Sequence, residues 1–313
     1  MKSIILKLVL SSFLAYFSGS VIAQEIHIDG VKFVHPIVEK WITEYKKENP
    51  DSKFNVKIDS EKKDGSSVLF IVASPVSEEE VGGNDKVVYV GRYALIPVSN
   101  KNNPLIEKVG KGLKKKELRN LIFEKDLLDD EAYEDDAKEK YTATIYSRNG
   151  QTPTTLTLAG HFSQSPERIR GKKIIGDEIY LLNAIQKDEN GIAFNTLNYI
   201  YDLNTRQLKA NLTILPLNLK SEQKEALLSQ NIDQAISVLE DSKIETIPVE
   251  KFGLVIPEKY LKNAEVLKFA NWILAHGQQY NHELGFLTLD VNTLTAQKKI
   301  LKNDDGNLSY LSK

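Results

Sequence analysis

The 313-residue sequence predicts an α/β fold, and three observations carry that reading. Strand-length and helix-length apolar patterns alternate along the chain. One run, Val68-Leu-Phe-Ile-Val-Ala73, is apolar without alternation, as suits a strand covered on both faces in a parallel sheet. The composition is 41% hydrophobic and 27% charged with a formal charge of −2, too evenly balanced for disorder and too polar for a bundle of membrane helices. Near-neutral charge also argues against a nucleic-acid-binding face. The absence of cysteine excludes a disulfide framework, a thiolate nucleophile, an iron–sulfur cluster and a cysteine zinc site. At roughly 100–200 residues per domain, the length suggests about two domains.

Residues 1–23 read as a secretory signal peptide. Met1-Lys2-Ser3 is positively charged, Ile4 to Phe17 is apolar apart from Lys7, Ser11 and Ser12, and small residues stand at Val21 and Ala23. Cleavage after Ala23 is expected. The apolar stretch is shorter than the about 20 residues a membrane span needs. With no cysteine to carry a lipid, the mature protein is expected to be soluble, periplasmic or secreted.

The mature chain opens with an alternating strand, Glu25 to Gly30, closed by a glycine turn. In Phe33–Pro50 apolar residues fall at 34, 37, 38, 41, 42 and 45, the spacing of a helix with one buried face. Pro36 fits its first turn and Asn49-Pro50 stops it. Strands follow at Phe54–Ile58 and Val68–Ala73, then a longer one at Val87–Val98 leading into the turn-rich Ser99–Pro104. Helices are expected at Leu105–Val109 and Lys114–Phe123. The acidic stretch Glu124–Glu139 has no calcium-loop spacing and reads as a solvated insertion. Tyr141–Tyr146 alternates as a strand, and the polar turn from Ser147 breaks into a helix near Thr154. An amphipathic helix at Glu178–Gln186 precedes a turn into a strand at Asn190–Phe194. Leu208–Leu217 reads as strand, Ser221–Leu239 as one helix, Phe252–Ile256 as strand and Asn263–Gln279 as helix.

Enzyme signatures are scarce. The sequence has no nucleophile elbow, P-loop, zincin motif or dinucleotide fingerprint, and its five histidines are scattered. No enzymatic activity, no metal and no cofactor is therefore expected. Two polar, glycine-containing turns between a strand and a helix stand out: Asp29-Gly30-Val31-Lys32 and Arg148-Asn149-Gly150-Gln151-Thr152. Helix N-termini carry free N–H groups and about half a positive charge. A glycine lets an anion reach such a backbone, and a hydroxyl or guanidinium can complete the cradle. Glycine at such a strand–helix turn usually serves conformation alone.

Several segments resemble, in order, those of type 2 periplasmic solute-binding proteins, and among them the phosphate-binding proteins of phosphate ABC transporters. Phe33–Pro50 is similar to that family's first helix, which often reads "PLVEKWAEEYKKENP". Tyr93-Ala-Leu-Ile-Pro-Val-Ser-Asn-Lys-Asn-Asn-Pro-Leu105 resembles its crossover strand and "NP-L" turn, and Lys116–Phe123 its "ql..IF" helix. Asn190–Phe194 stands where the family has "GAIGY". Phe269–Gln278 with Leu284–Leu287 resembles its closing "F..W.l..GQ…GY". The resemblance implies a two-lobed fold with two crossover strands. Residues 24–95 and 246–313 would form lobe 1, and 96–245 lobe 2, with ligand in the cleft.

It also implies a site. Arg148 would clamp an anion, the backbone donors of Gly30, Val31, Gly150 and Gln151 would surround it, and the hydroxyls of Thr152 and Ser74 would complete the shell. Lys32 would supply a point charge or face solvent. The sequence departs from the family here: Val31 and Lys32 replace hydroxyl residues, Gln151 and Pro153 interrupt the second turn, and Leu69 stands where an aspartate is usual. The expected role is capture of phosphate or a related oxyanion for a membrane transporter permease, by a monomer. The alternative is a scaffold or sensor subunit of an envelope complex with a degenerate cleft.

Overall fold

A computed structural model describes residues 26–56, 69–73, 81–124 and 143–302 of the chain. The signal peptide, Ser74 and the acidic run from Asp126 onward lie outside the described residues.

The strands are β1 (Ile26–Gly30), β2 (Phe54–Val56), β3 (Leu69–Ala73), β4 (Lys86–Asn100), β5 (Thr144–Arg148), β6 (Lys172–Ile174), β7 (Gly191–Thr196), β8 (Leu212–Ile214) and β9 (Val249–Ile256). The helices are α1 (His35–Glu48), α2 (Leu105–Lys108), α3 (Lys115–Ile122), α4 (Pro153–His161), α5 (Glu178–Lys187), α6 (Leu197–Ile200), α7 (Ser221–Leu228), α8 (Ile232–Asp241), α9 (Ala264–Ala275) and α10 (Val291–Lys302). The strands form one mixed sheet in the order β2-β1-β3-β9-β4-β7-β5-β6, with β8 pairing β4 beside that path.

The 15-residue β4 organises the molecule. From Lys86 to Ala94 it runs antiparallel to β9; from Leu95 to Ser99 it runs antiparallel to β7. Most of its residues are buried, because one long apolar strand must be covered in both halves of the sheet. On one side β1 pairs in parallel with β2 and β3; on the other β5 pairs in parallel with β6 and β7. All five residues of β3 are buried, as its unbroken apolar run predicts.

Helix α1 starts with Pro36 in its first turn and buries His35, Ile37, Val38, Trp41, Ile42 and Tyr45. That face packs on α9: the Tyr45 and Phe269 rings are 5.0 Å apart, and Phe54 and Phe269 stack at 4.3 Å. The Trp41 indole N–H donates to the Gly277 carbonyl at 2.9 Å, satisfying the one polar atom this ring carries into the core.

Two expectations are corrected. Ser221–Leu239 is two helices, since Gln230 adopts φ +61° and Asn231 caps a new helix, its side chain accepting from the N–H groups of Asp233 and Gln234. Leu208–Leu217 contributes only β8, because Asn211 is left-handed at φ +66° and ends the extended backbone before it. Helix α10 and strand β6 were not anticipated.

Candidate functional site: two facing corners

Register locates the site. Ala73 ends β3 opposite Phe252 of β9, which lies opposite Gly91 of β4. Thr196 ends β7 opposite Leu95 of β4. β3 runs in the direction of β4 and β7 against it, so the carboxyl ends of the two parallel sets point towards each other. Measured along β4 the two ends are four positions apart, about 13 Å at the usual strand rise. In open α/β sheets, ligands bind outside the carboxyl ends where the winding reverses. The two turns singled out in the sequence leave the sheet at these ends: the first after β1, the second after β5.

The first corner is tightly built. Gly30 has φ +128°, and a Cβ there would stand 2.1 Å from the Ile71 carbonyl oxygen, so only glycine fits. Its N–H donates to the Asp29 carboxylate at 2.7 Å, and the Val31 N–H donates to the Ile71 carbonyl at 3.2 Å. His35 donates a ring N–H to the Gly30 carbonyl at 3.2 Å. Burial pulls the His35 pKa below its ordinary value, against the opposing pull of that bond and of Asp29. Gly30, Val31 and Lys32 are all half-buried.

The second corner holds Gly150 at φ +76° in open space, followed by Thr152 as the cap of α4. The Thr152 N–H donates to the Thr155 hydroxyl at 2.8 Å, and that hydroxyl also reaches the Gly150 carbonyl at 2.9 Å. Gly150 and Gln151 are exposed, and the Gln151 amide donates to Glu167 at 2.8 Å.

Arg148, the last residue of β5, is largely buried, and its Nη1 lies 3.0 Å from Oε1 of Glu178. Glu178 is the first residue of α5 and is itself 6% exposed at the side chain. The same Oε1 accepts from the Thr154 hydroxyl at 3.3 Å. Asn195 of β7 donates to the Glu178 carbonyl at 2.9 Å, fixing this end of α5 to the sheet. Burial raises the Glu178 pKa and outweighs the opposing pull of Arg148. Asp177 caps α5 and accepts from the Tyr199 hydroxyl, whose pKa burial also drives upward.

Tyr93 of β4 stands between the corners. Its ring lies 4.9 Å from that of Phe33 beside the first corner, and its hydroxyl is 2.6 Å from Thr157 on α4. Asn198 of α6 donates to the Phe33 carbonyl at 2.9 Å. The corners are thus tied through a buried Phe33–Tyr93–Thr157 chain.

The structure gathers Arg148, Gly150 and Thr152 in one corner and Gly30, Val31 and Lys32 in the other. Sequence reasoning missed Glu178 and Tyr93. Gly176-Asp177-Glu178 has the same glycine–polar–helix pattern as the two recognised turns, and that pattern could have drawn attention to the acid. Tyr93 carries no signal that sets it apart from Tyr89 on the same apolar strand. Among the described residues no group of three or more His, Asp or Glu is placed to hold a metal ion, and no helix is long and apolar enough to cross a membrane.

Among curated proteins none matches this sequence. Solved structures resemble the fold at low identity. A protein from Clostridium perfringens, assigned as a phosphate ABC transporter substrate-binding protein and solved with bound phosphate, is 17% identical at a TM-score of 0.59, covering 85% of this chain and 100% of its own. An ABC-type phosphate transport receptor from Vibrio cholerae is 12% identical at 0.55, with the same two coverages. The regulatory domain of a LysR family regulator from N. meningitidis is 10% identical at 0.51, covering 85% and 99%. These likenesses show the fold, a type 2 periplasmic-binding-protein fold. Residues 18–276 match the PBP superfamily domain, most of the sequence, and the chain belongs to that superfamily.

Proposed function

We propose that this chain is an exported, non-catalytic solute-binding protein. It captures a small oxyanion, phosphate or a relative, between its lobes and passes it to an ABC-type transporter permease. Removal of the signal peptide 1–23 would release it as a soluble periplasmic or secreted monomer, with lobes at 24–95 plus 246–313 and at 96–245. The observation that carries this reading is that two carboxyl-end corners face each other along β4, one of them holding a buried guanidinium. Arg148 is the clamp. The amides of Gly30, Val31, Gly150 and Gln151, the hydroxyls of Thr152 and Ser74 and the charge of Lys32 are the candidates for the rest of the shell. A buried anion needs nearly every oxygen paired, which is why so many donors are required.

A second reading, a scaffold or sensor with a degenerate site, is favoured by one observation. Arg148 and the amides of Gly30, Val31 and Thr152 each have a partner within the protein. Calorimetry with phosphate and other oxyanions at low salt separates the two. The capture reading expects heat for at least one of them and at least tenfold weaker binding in Arg148→Met, about 1.4 kcal/mol. A folded protein that gives no heat with any of them belongs to the scaffold reading.

A further inference from the structure

We propose that Glu178 determines specificity at this site: its carboxylate stands in for the guest on Arg148, and an oxyanion is admitted with uptake of one proton at Glu178. The inference rests on the oxyanion-capture reading above. A carboxylate presents two oxygens to a guanidinium much as one edge of a tetrahedral oxyanion does. Glu178 places one of them 3.0 Å from Arg148, and the Thr154 hydroxyl at the start of α4 donates to that same oxygen. Donors suited to a guest therefore already serve an internal anion.

Among the described residues, the ionisable groups that act on Glu178 are Arg148 from β5, Asp177 at its own helix cap, Tyr199 from α6 and Tyr93 from β4. Both tyrosines are held neutral by burial. A dianion arriving at Arg148 beside the Glu178 carboxylate would set two anions close together in a buried place, where their repulsion is weakly screened. Protonating Glu178 removes one of those charges. It also turns an acceptor oxygen into an O–H donor, and burial already favours the neutral acid. The exchange balances as follows: the Glu178–Arg148 ion pair separates, one proton from solvent bonds to the Glu178 carboxylate, and the guest anion pairs with Arg148. No other bond changes.

The test is calorimetry of inorganic phosphate in buffers of different ionisation enthalpy, on the wild type and Glu178→Gln, between about pH 5 and about pH 8. At the alkaline end the wild type should take up about one more proton per bound phosphate than the variant. Beyond the slope that the ionisation of phosphate gives both proteins, its affinity should fall towards tenfold per pH unit above the Glu178 titration, a component absent in the variant, which should bind at least tenfold tighter near pH 8. Equal proton uptake and equal affinity in both proteins would overturn the inference while leaving oxyanion capture standing. Absence of binding in both, at every pH, would overturn capture and this inference together. If the variant fails to fold, the wild type decides alone once the ionisation of phosphate itself is subtracted. Uptake near one proton supports the inference, and none rejects it.

Discussion

The two corner glycines look alike in the sequence and differ in physical role. Gly30 combines φ +128° with a carbonyl oxygen where a Cβ would go, whereas Gly150 sits at φ +76° with nothing within 4 Å. Gly150→Ala should therefore cost only the left-handed conformation, about 1–2 kcal/mol. Gly30→Ala must also move β1 away from β3, and should cost about 3 kcal/mol or more. Urea unfolding midpoints of the two variants check this. Equal losses would mean that the first corner is looser than its geometry implies. The difference matters for function, since a rigid corner can hold donors in place and an open one can admit a guest.

Among the elements, the junction between α7 and α8 offers a cleaner test of local backbone strain. Gln230 takes φ +61° with its carbonyl accepting from the Leu208 N–H, so the turn is held by tertiary structure against the residue's own preference. Gln230→Gly should relieve that strain. After the greater chain entropy of glycine when unfolded, the net gain is about 0.5–1 kcal/mol. A shift of the thermal midpoint to lower temperature would contradict it. The same junction shows what the sequence conceals. Leu227, Leu228, Ile232, Ile236 and Leu239 keep helical spacing across the break, and a glutamine announces no stop. Only Asn231, a good cap, marks the new start. By contrast α1, β4 and α9 were legible, because caps, a proline in the first turn or a long unbroken apolar run set their limits from within. The site divides likewise. Its two turns are local patterns of glycine before a helix. The Arg148–Glu178 pair joins residues thirty positions apart and forms where tertiary structure sets the start of α5 beside the end of β5, with Asn195 of β7 bonded to the Glu178 backbone carbonyl.

At the scale of the whole molecule, the segment after α9 is tied to the region between β7 and β9 by a charged cluster remote in sequence. Glu240 of α8 lies 3.0 Å from the His282 ring and also accepts from the amide and hydroxyl of Thr288. Arg206 pairs with Asp233 and donates to the carbonyls of His282 and Glu283. The bond to Glu240 raises the His282 pKa above its ordinary value of 6.5, helped by Asp233 and opposed by burial and Arg206. Burial alone would lift the Glu240 carboxyl, but the bonds from His282 and Thr288 together bring it below 4.5. The signs differ. The His282 contribution is complete below about pH 6.5 and is lost as pH rises through its elevated folded value. The Glu240 contribution is complete above about pH 4.5 and is lost as pH falls through its depressed one. The clamp is therefore strongest between those limits. Its histidine is nearly half exposed, so solvent screening holds it below about 1 kcal/mol. The wild type should lose about 1–2 °C more in thermal midpoint than His282→Gln between about pH 6 and about pH 8 at low salt. The excess should shrink as salt is added, because the pair reaches solvent. Parallel midpoint-versus-pH curves for the two proteins would mean that the tie between these segments rests on Thr288 and Arg206 and carries no pH dependence of its own.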